Sequence, residues 1–131
     1  MKTKIIVAVC LLLIAAFPGL CLARSDTQFY RNEECVCWAD AGTLEQIGGS
    51  VYEIWLQAEF VDESIPDTTI VERIDMDRYT YSRQRMFFWD GSRQVDLPDD
   101  DKGEWLSIRQ DSMDEALYNF IYENLRRRGK L

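Results

Sequence analysis

The chain contains no histidine among its 131 residues. Histidine is the side chain that most often acts as a general base, and it is also the commonest metal ligand. Its absence excludes Ser-His and Cys-His nucleophile pairs and every zinc centre built on histidine. Catalysis by carboxylates alone stays open, but any pair among 23 acidic residues indicates nothing until its geometry is known. We therefore predict no catalytic residue, no metal site, no cofactor and no enzymatic activity.

The sequence also has a single long apolar run, over residues 5–17. This run is too short for a bilayer, which takes roughly 20 apolar residues, so no membrane span is predicted. It follows Lys2 and Lys4 and precedes a segment that ends at Ala23, the arrangement of a secretory signal peptide. We predict a signal peptide over residues 1–23 and a single domain over residues 24–131. A leucine, not a small residue, precedes Cys21, which argues against lipidation at that cysteine.

Positive charge is low in the predicted domain. Residues 24–131 keep 13 of the 15 basic residues and all 23 acidic ones, a formal net charge of −10. Such a charge repels phosphate backbones, so a nucleic-acid partner is excluded. The one basic run, residues 126–128 with Lys130, can be a docking tail or an ordinary set of cations at a helix C-terminus. The second interpretation is the more ordinary one.

Of the four cysteines, Cys35 and Cys37 belong to the predicted domain, since Cys10 and Cys21 lie in the predicted signal peptide. Residues two apart in a strand have Cα atoms about 6.6 Å apart and parallel side chains, so an unstrained bond between the two is not expected. We predict reduced thiols on one sheet face, or a bond between two chains that makes a homodimer. The alternative function is a small-ligand or metal-handling periplasmic protein that uses both thiols, although two thiolates are half of a tetrahedral zinc shell.

Apolar and polar residues alternate in several segments, which is typical of strands with one buried face. Extended structure is predicted over residues 28–40 with a less clear continuation over 43–47, and strands over 51–61, 68–77, 79–89 and 93–97. Asp90-Gly91 favours a hairpin turn between the last two strands. The aspartates of loop 98–104 lack the spacing of a calcium-binding EF-hand loop, so this loop is predicted to be solvated.

A helix is predicted after Ser112, which forms a capping box with Glu115. Apolar residues follow at helical spacing, namely Met113, Ala116, Leu117, Phe120 and Ile121, with Leu125 beside them. Strands closed by one amphipathic helix predict an α+β fold, in which the C-terminal helix packs on an antiparallel β-sheet. The predicted core brings Met113, Leu117, Phe120 and Ile121 against Ile54, Leu56 and Ile74.

The candidate protein-contact residues are Tyr81, Arg83 and Arg85. They alternate with Tyr79, Phe87 and Trp89, which predicts one shared face of strand 79–89. Such a stripe is typical of a protein-binding surface, because Tyr, Trp and Arg dominate interface hot spots. It is equally typical of an exposed face on which arginine stems cover aromatic rings, the more ordinary arrangement. Trp55, on the polar face of its strand, is interpreted as packing against a cross-strand neighbour.

Several motifs together resemble the surface-adhesin protein E-like family of bacteria over residues 29–125. They are the strand 51–61, the segment 75–81, the aromatic run 87–91, Trp105, and Ser112-x-x-Glu115-Ala116-Leu117-x-Asn119-Phe120. The resemblance implies a secreted domain of antiparallel strands with a C-terminal helix. It also implies an adhesion or envelope accessory role at the cell surface or in the periplasm. The expected partner is a protein, such as a host extracellular-matrix or envelope protein.

The chain departs from this family at two positions where the family commonly carries cysteines that look like a disulfide pair. Met76 and Tyr122 occupy them here. A methionine against a tyrosine ring is a plausible apolar substitute for the bond. The resemblance therefore implies that the side chains of Met76 and Tyr122 touch, with the strand of Met76 beneath the C-terminal helix.

Overall fold

The computed structural model describes residues 26–131, so the predicted signal peptide, residues 1–23, lies outside the described residues. The described chain forms seven strands and then one helix. In order these are β1 (Asp26–Arg31), β2 (Cys35–Gly48), β3 (Val51–Phe60), β4 (Thr68–Asp75), β5 (Thr80–Asp90), β6 (Arg93–Asp96), β7 (Leu106–Ser107) and α1 (Met113–Arg127).

The strands form one antiparallel sheet in the order β1-β2-β3-β4-β5-β6, and the short β7 pairs with the first residues of β5. Each strand from β1 to β6 thus pairs with the next one along the chain, as in a meander. The predicted α+β fold, an antiparallel sheet with one C-terminal helix packed against it, is confirmed. Among residues 26–131, no helix is both long and apolar enough to cross a membrane.

The N-terminal segment differs from the prediction, because residues 28–40 contain two strands and a turn. Asn32 makes the turn: its side-chain Oδ1 accepts hydrogen bonds from the backbone N–H groups of Glu34 and Cys35, both at 2.8 Å. This local bonding reverses the chain and pairs β1 with β2. The short strand β7 was not predicted either. The hairpin at Asp90-Gly91 is confirmed, and Gly91 takes the positive φ of 63° that this turn requires.

Helix α1 begins where the sequence predicts. The Ser112 Oγ accepts a hydrogen bond from the Glu115 N–H at 3.1 Å, whereas Glu115 Oε1 accepts from the N–H of Asp111, one residue earlier than in a standard capping box. Arg126 and Arg127 lie in the last turn, as expected for cations at a helix C-terminus. The Arg128 guanidinium then donates to the carbonyl of Ala41 at 2.9 Å and ties this end to β2.

The core lies between α1 and one face of the sheet, which we call the helix face. Leu117, Ile121 and Leu125 of α1 are fully buried there, and Met113 and Phe120 pack partly buried at its margin. The sheet residues of this buried cluster are Cys37, Ala39, Tyr52, Ile54, Leu56, Ala58, Ile70 and Ile74. The predicted core is confirmed for Leu117 and Ile121 against Ile54, Leu56 and Ile74, whereas Met113 and Phe120 are only partly buried. The opposite face, which carries Trp55, Phe87 and Trp89, is called the open face.

Candidate functional site

A bulge in β5 divides the predicted contact stripe between the two faces of the sheet. Glu72 of β4 pairs with Arg83, whereas the preceding residue, Val71, pairs with Arg85. Gln84 is the extra residue, and it shifts the alternation of side chains by one position. Tyr81 and Arg83 therefore lie on the helix face, and Arg85 lies on the open face. The prediction that all of these residues share one face is wrong for this reason.

Arg83 lies among carboxylates beneath α1. Its Nε is 3.9 Å from Glu72 Oε1, and its Nη1 is 3.7 Å from Asp99 Oδ2. The Asp99 side chain is largely buried. The prediction that loop 98–104 is solvated is therefore wrong for this residue. Glu72 is 0% exposed. Its burial, followed by the neighbouring carboxyl of Asp114 on α1, raises the pKa of Glu72 well above its ordinary value.

Tyr81 is half-buried in the same region, and its pKa is raised by burial first and by the charge of Asp114 second. Tyr81 therefore packs against the buried core, and Arg83 pairs with the carboxylates of Glu72 and Asp99. Of the three candidate contact residues, Arg85 is the one that the bulge leaves on the open face and exposed. The Arg85 Cζ lies 4.7 Å from the centroid of the Phe87 ring, and its Nη2 lies 3.4 Å from Asp96 Oδ1.

Three aromatic rings meet on the open face and form what we call the aromatic cluster: Trp55, Phe87 and Trp89. The buried Phe87 ring is at the centre, and each tryptophan meets it edge-on with ring centroids 6.1 Å apart. Trp55 thus packs against another side chain of the sheet, although its ring partner Phe87 lies two strands away and not on a neighbouring strand. It is nevertheless 40% exposed, and Trp89 is 58% exposed. Large rings that pack together yet stay open to solvent are typical of contact surfaces.

A second irregularity, in β2, places polar groups beside this cluster. Asp40 pairs with Trp55, but the next pair along the strands joins Glu45 to Glu53, so residues 41–44 bulge out of the ladder. The Thr43 hydroxyl accepts a hydrogen bond from the Trp55 N–H at 2.9 Å and donates to the Asp40 carbonyl at 2.7 Å. Asp40 Oδ1 accepts from the Gly42 N–H at 2.9 Å. These bonds hold the Asp40 carboxylate at the edge of the aromatic cluster.

The aromatic cluster and this bulge enclose a shallow cleft of about 430 Å³, which we call the open-face cleft. It is lined by Asp26, Asp40, Thr43, Trp55, Leu56, Gln57, Thr69, Phe87 and Trp89. Two of these residues are acidic and none is basic. The residues come from β1, β2, β3, β4 and β5, so the cleft is a product of the assembled sheet. It is not among the sites predicted from the sequence.

Cys35 and Cys37 lie on one face of β2 as free thiols, with their Sγ atoms 3.8 Å apart. This placement was predicted. Burial, and then the charge of Cys35, raises the pKa of the Cys37 thiol to about 12. A protonated, buried thiol is a poor metal ligand and a poor nucleophile. Within residues 26–131 there is no group of three or more Cys, Asp or Glu side chains that could hold a metal ion.

Met76 approaches α1 through Tyr118. The Tyr118 hydroxyl donates to the Met76 carbonyl at 3.0 Å. Tyr122 lies one helical turn later and is 42% exposed. Met76, which directly follows the end of β4, is therefore next to α1, while contact between the side chains of Met76 and Tyr122 stays a prediction.

Comparisons with protein-family models, with curated proteins and with solved structures gave no match to this chain. The resemblance to the surface-adhesin protein E-like family therefore stays a prediction.

Proposed function

We propose that this protein is a secreted, non-enzymatic domain that acts through protein contacts, with the open face of the sheet as its contact surface. The observation that carries the proposal is the aromatic cluster, in which Trp55 and Trp89 remain 40% and 58% exposed around the buried ring of Phe87. Folding alone gains little from rings held in this half-exposed state. A partner that covers them would bury their remaining apolar surface.

The type of residue supports the same proposal. Tryptophan and arginine are enriched among the residues that dominate the free energy of protein association, particularly at the centre of an interface. Arg85 is stacked on Phe87 beside the two tryptophans, so one patch presents both residue types. Because Tyr81 and Arg83 pack on the helix face, we assign the contact surface to Trp55, Arg85 and Trp89.

The predicted signal peptide and the resemblance to bacterial adhesins support an adhesion or envelope accessory role in the periplasm or at the cell surface. Fractionation of the native cells tests the location. An adhesin must be found outside the outer boundary of the cell, whereas an accessory factor stays in the periplasm. Recovery from the cytoplasm of cells that produce the full-length chain at native levels would contradict both roles.

A matched pair of variants tests the contact surface. The double variant Trp55→Ser/Trp89→Ser alters the aromatic cluster, and Trp105→Ser removes an equally exposed tryptophan that does not line the cleft. The wild-type domain is used to capture proteins from the cell envelope and from the surroundings of the cell. The captured proteins are identified by mass spectrometry and purified, and the Kd of each one is then measured with each variant. We expect the double variant to bind at least about tenfold more weakly and Trp105→Ser to bind within about twofold of wild type.

Circular dichroism spectra and melting curves must first show that both variants fold. Equal affinity of the folded double variant and the wild type would contradict the assignment of the open face. Loss of binding in Trp105→Ser alone would move the contact surface elsewhere.

A further inference from the structure

We propose that the open-face cleft receives the side chain of an arginine from a basic, extended peptide segment. This inference rests on the proposed function and deepens it, because it gives the chemical class of the partner. The cleft combines exposed tryptophan rings with the Asp40 carboxylate, and none of the residues between 26 and 131 that line it is basic.

The charge of the cleft favours a cation. Asp40 and Asp26 are among its lining residues, and the hydrogen bond from the Gly42 N–H to Asp40 Oδ1 fixes the direction of that carboxylate. The domain carries a formal net charge of −10 over residues 24–131, which attracts cationic segments and repels acidic ones during encounter. An anionic ligand would meet repulsion both at long range and in the cleft itself.

The aromatic rings favour arginine among the cations. A guanidinium attracts the face of a tryptophan within about 6 Å of the ring centroid, and its planar fork can pair with a carboxylate at the same time. The open face already contains one such arrangement. Arg85 lies over the Phe87 ring, and its Nη2 approaches Asp96. An incoming arginine between the tryptophans and Asp40 would repeat this geometry elsewhere on the same face of the sheet.

The experiment uses the peptide acetyl-Gly-Arg-Gly-Arg-Gly-amide with a fluorescent label, and anisotropy gives its Kd for the folded domain. The control peptide carries citrulline in place of both arginines, which keeps the shape and removes the charge. We expect the arginine peptide to bind at least about tenfold more tightly, with an affinity that falls as salt increases. Equal binding of the two peptides would overturn the inference.

Variants with the same change in charge separate the cleft from the general acidity of the domain. Asp40→Asn keeps an acceptor for the Gly42 N–H and removes the charge in the cleft. Asp100→Asn removes one exposed acid from the loop after β6, outside the cleft. Asp40→Asn and Trp89→Ala should each weaken binding of the arginine peptide about fivefold or more, whereas Asp100→Asn should stay within about twofold.

Equal losses for Asp40→Asn and Asp100→Asn would mean attraction by net charge alone, and would overturn the inference. So would binding of a neutral N-acetylglucosamine tetrasaccharide that depends on Trp89 while the arginine peptide fails to bind. These failures are distinguishable from failure of the proposed function. If Trp55→Ser/Trp89→Ser still loses binding to a partner protein, the open face remains the contact surface and the arginine assignment alone is wrong.

Discussion

Replacing Leu117 by alanine tests whether α1 packs on the sheet through the assigned face. Leu117 is 0% exposed and belongs to the same buried cluster as Ile54 and Ile74. The change removes three buried carbon atoms, for which the transfer free energy alone is about 2.4 kcal/mol. The remaining cavity adds a further cost, so the free energy of unfolding should fall by about 3 to 5 kcal/mol. For a domain of this size, the melting temperature falls on the order of 15 to 30 °C.

Two variants on the same helix provide the comparison. Tyr122 is 42% exposed, so Tyr122→Ala should cost less than about 1 kcal/mol. Phe120, predicted to be a core residue, is half-buried, and its ring centroid lies 6.0 Å from that of Phe29. Truncation of a buried aromatic costs about 3 to 5 kcal/mol, so Phe120→Ala should fall below this range.

Urea denaturation followed by circular dichroism measures all three variants, and an unchanged m-value shows that the shift in midpoint reports stability. A Leu117→Ala variant that loses no more stability than Tyr122→Ala would refute the assigned packing. It would mean that α1 presents a different set of side chains to the sheet.

The pKa of Glu72 is raised in the fold. Between the ordinary glutamate pKa and the raised one, the folded state therefore binds more protons than the unfolded state. The contribution of Glu72 to stability consequently falls as pH rises through that range. Urea denaturation should show Glu72→Gln gaining stability relative to wild type from pH 4 to pH 7; a constant difference would contradict this. In the native protein a thiol reagent should modify Cys35 well before Cys37, whose pKa of about 12 and burial protect it; equal rates would argue against the placement of β2. Met76→Cys/Tyr122→Cys should form a bond on oxidation without loss of fold, and two thiols that stay free would refute the implied contact. Sequencing of the exported protein should begin at Arg24; a lipid-modified Cys21 would show that the signal is of another kind.

The elements that depend on local pattern were predictable from the amino-acid sequence alone. Alternation over residues 51–61 predicted β3, because a strand with one buried face repeats every two residues. The Asp90-Gly91 turn and the Ser112 cap are likewise local, since each depends on the conformation or hydrogen bonds of adjacent residues. The apolar stripe of α1 predicted the buried face on which Leu117 and Ile121 lie, and with it the α+β fold.

The β2 bulge that lines the cleft is marked in the sequence by a glycine. Gly42 interrupts β2 at the bulge that places Asp40 and Thr43 beside Trp55. A glycine inside a strand pattern often marks such a bulge. The β5 bulge at Gln84 has no glycine or proline within its strand, so the pattern 79–89 continued as if the alternation were unbroken.

The face that each candidate residue occupies depends on the tertiary structure. A bulge of one residue turned Arg83 toward Glu72 and Asp99 and left Arg85 on the open face. The aromatic cluster joins Trp55 of β3 to Phe87 of β5, two strands away and 32 positions along the chain. Strand register is fixed by the pairing of whole strands and by the packing of α1, and a shift of one residue reverses the face of every side chain that follows.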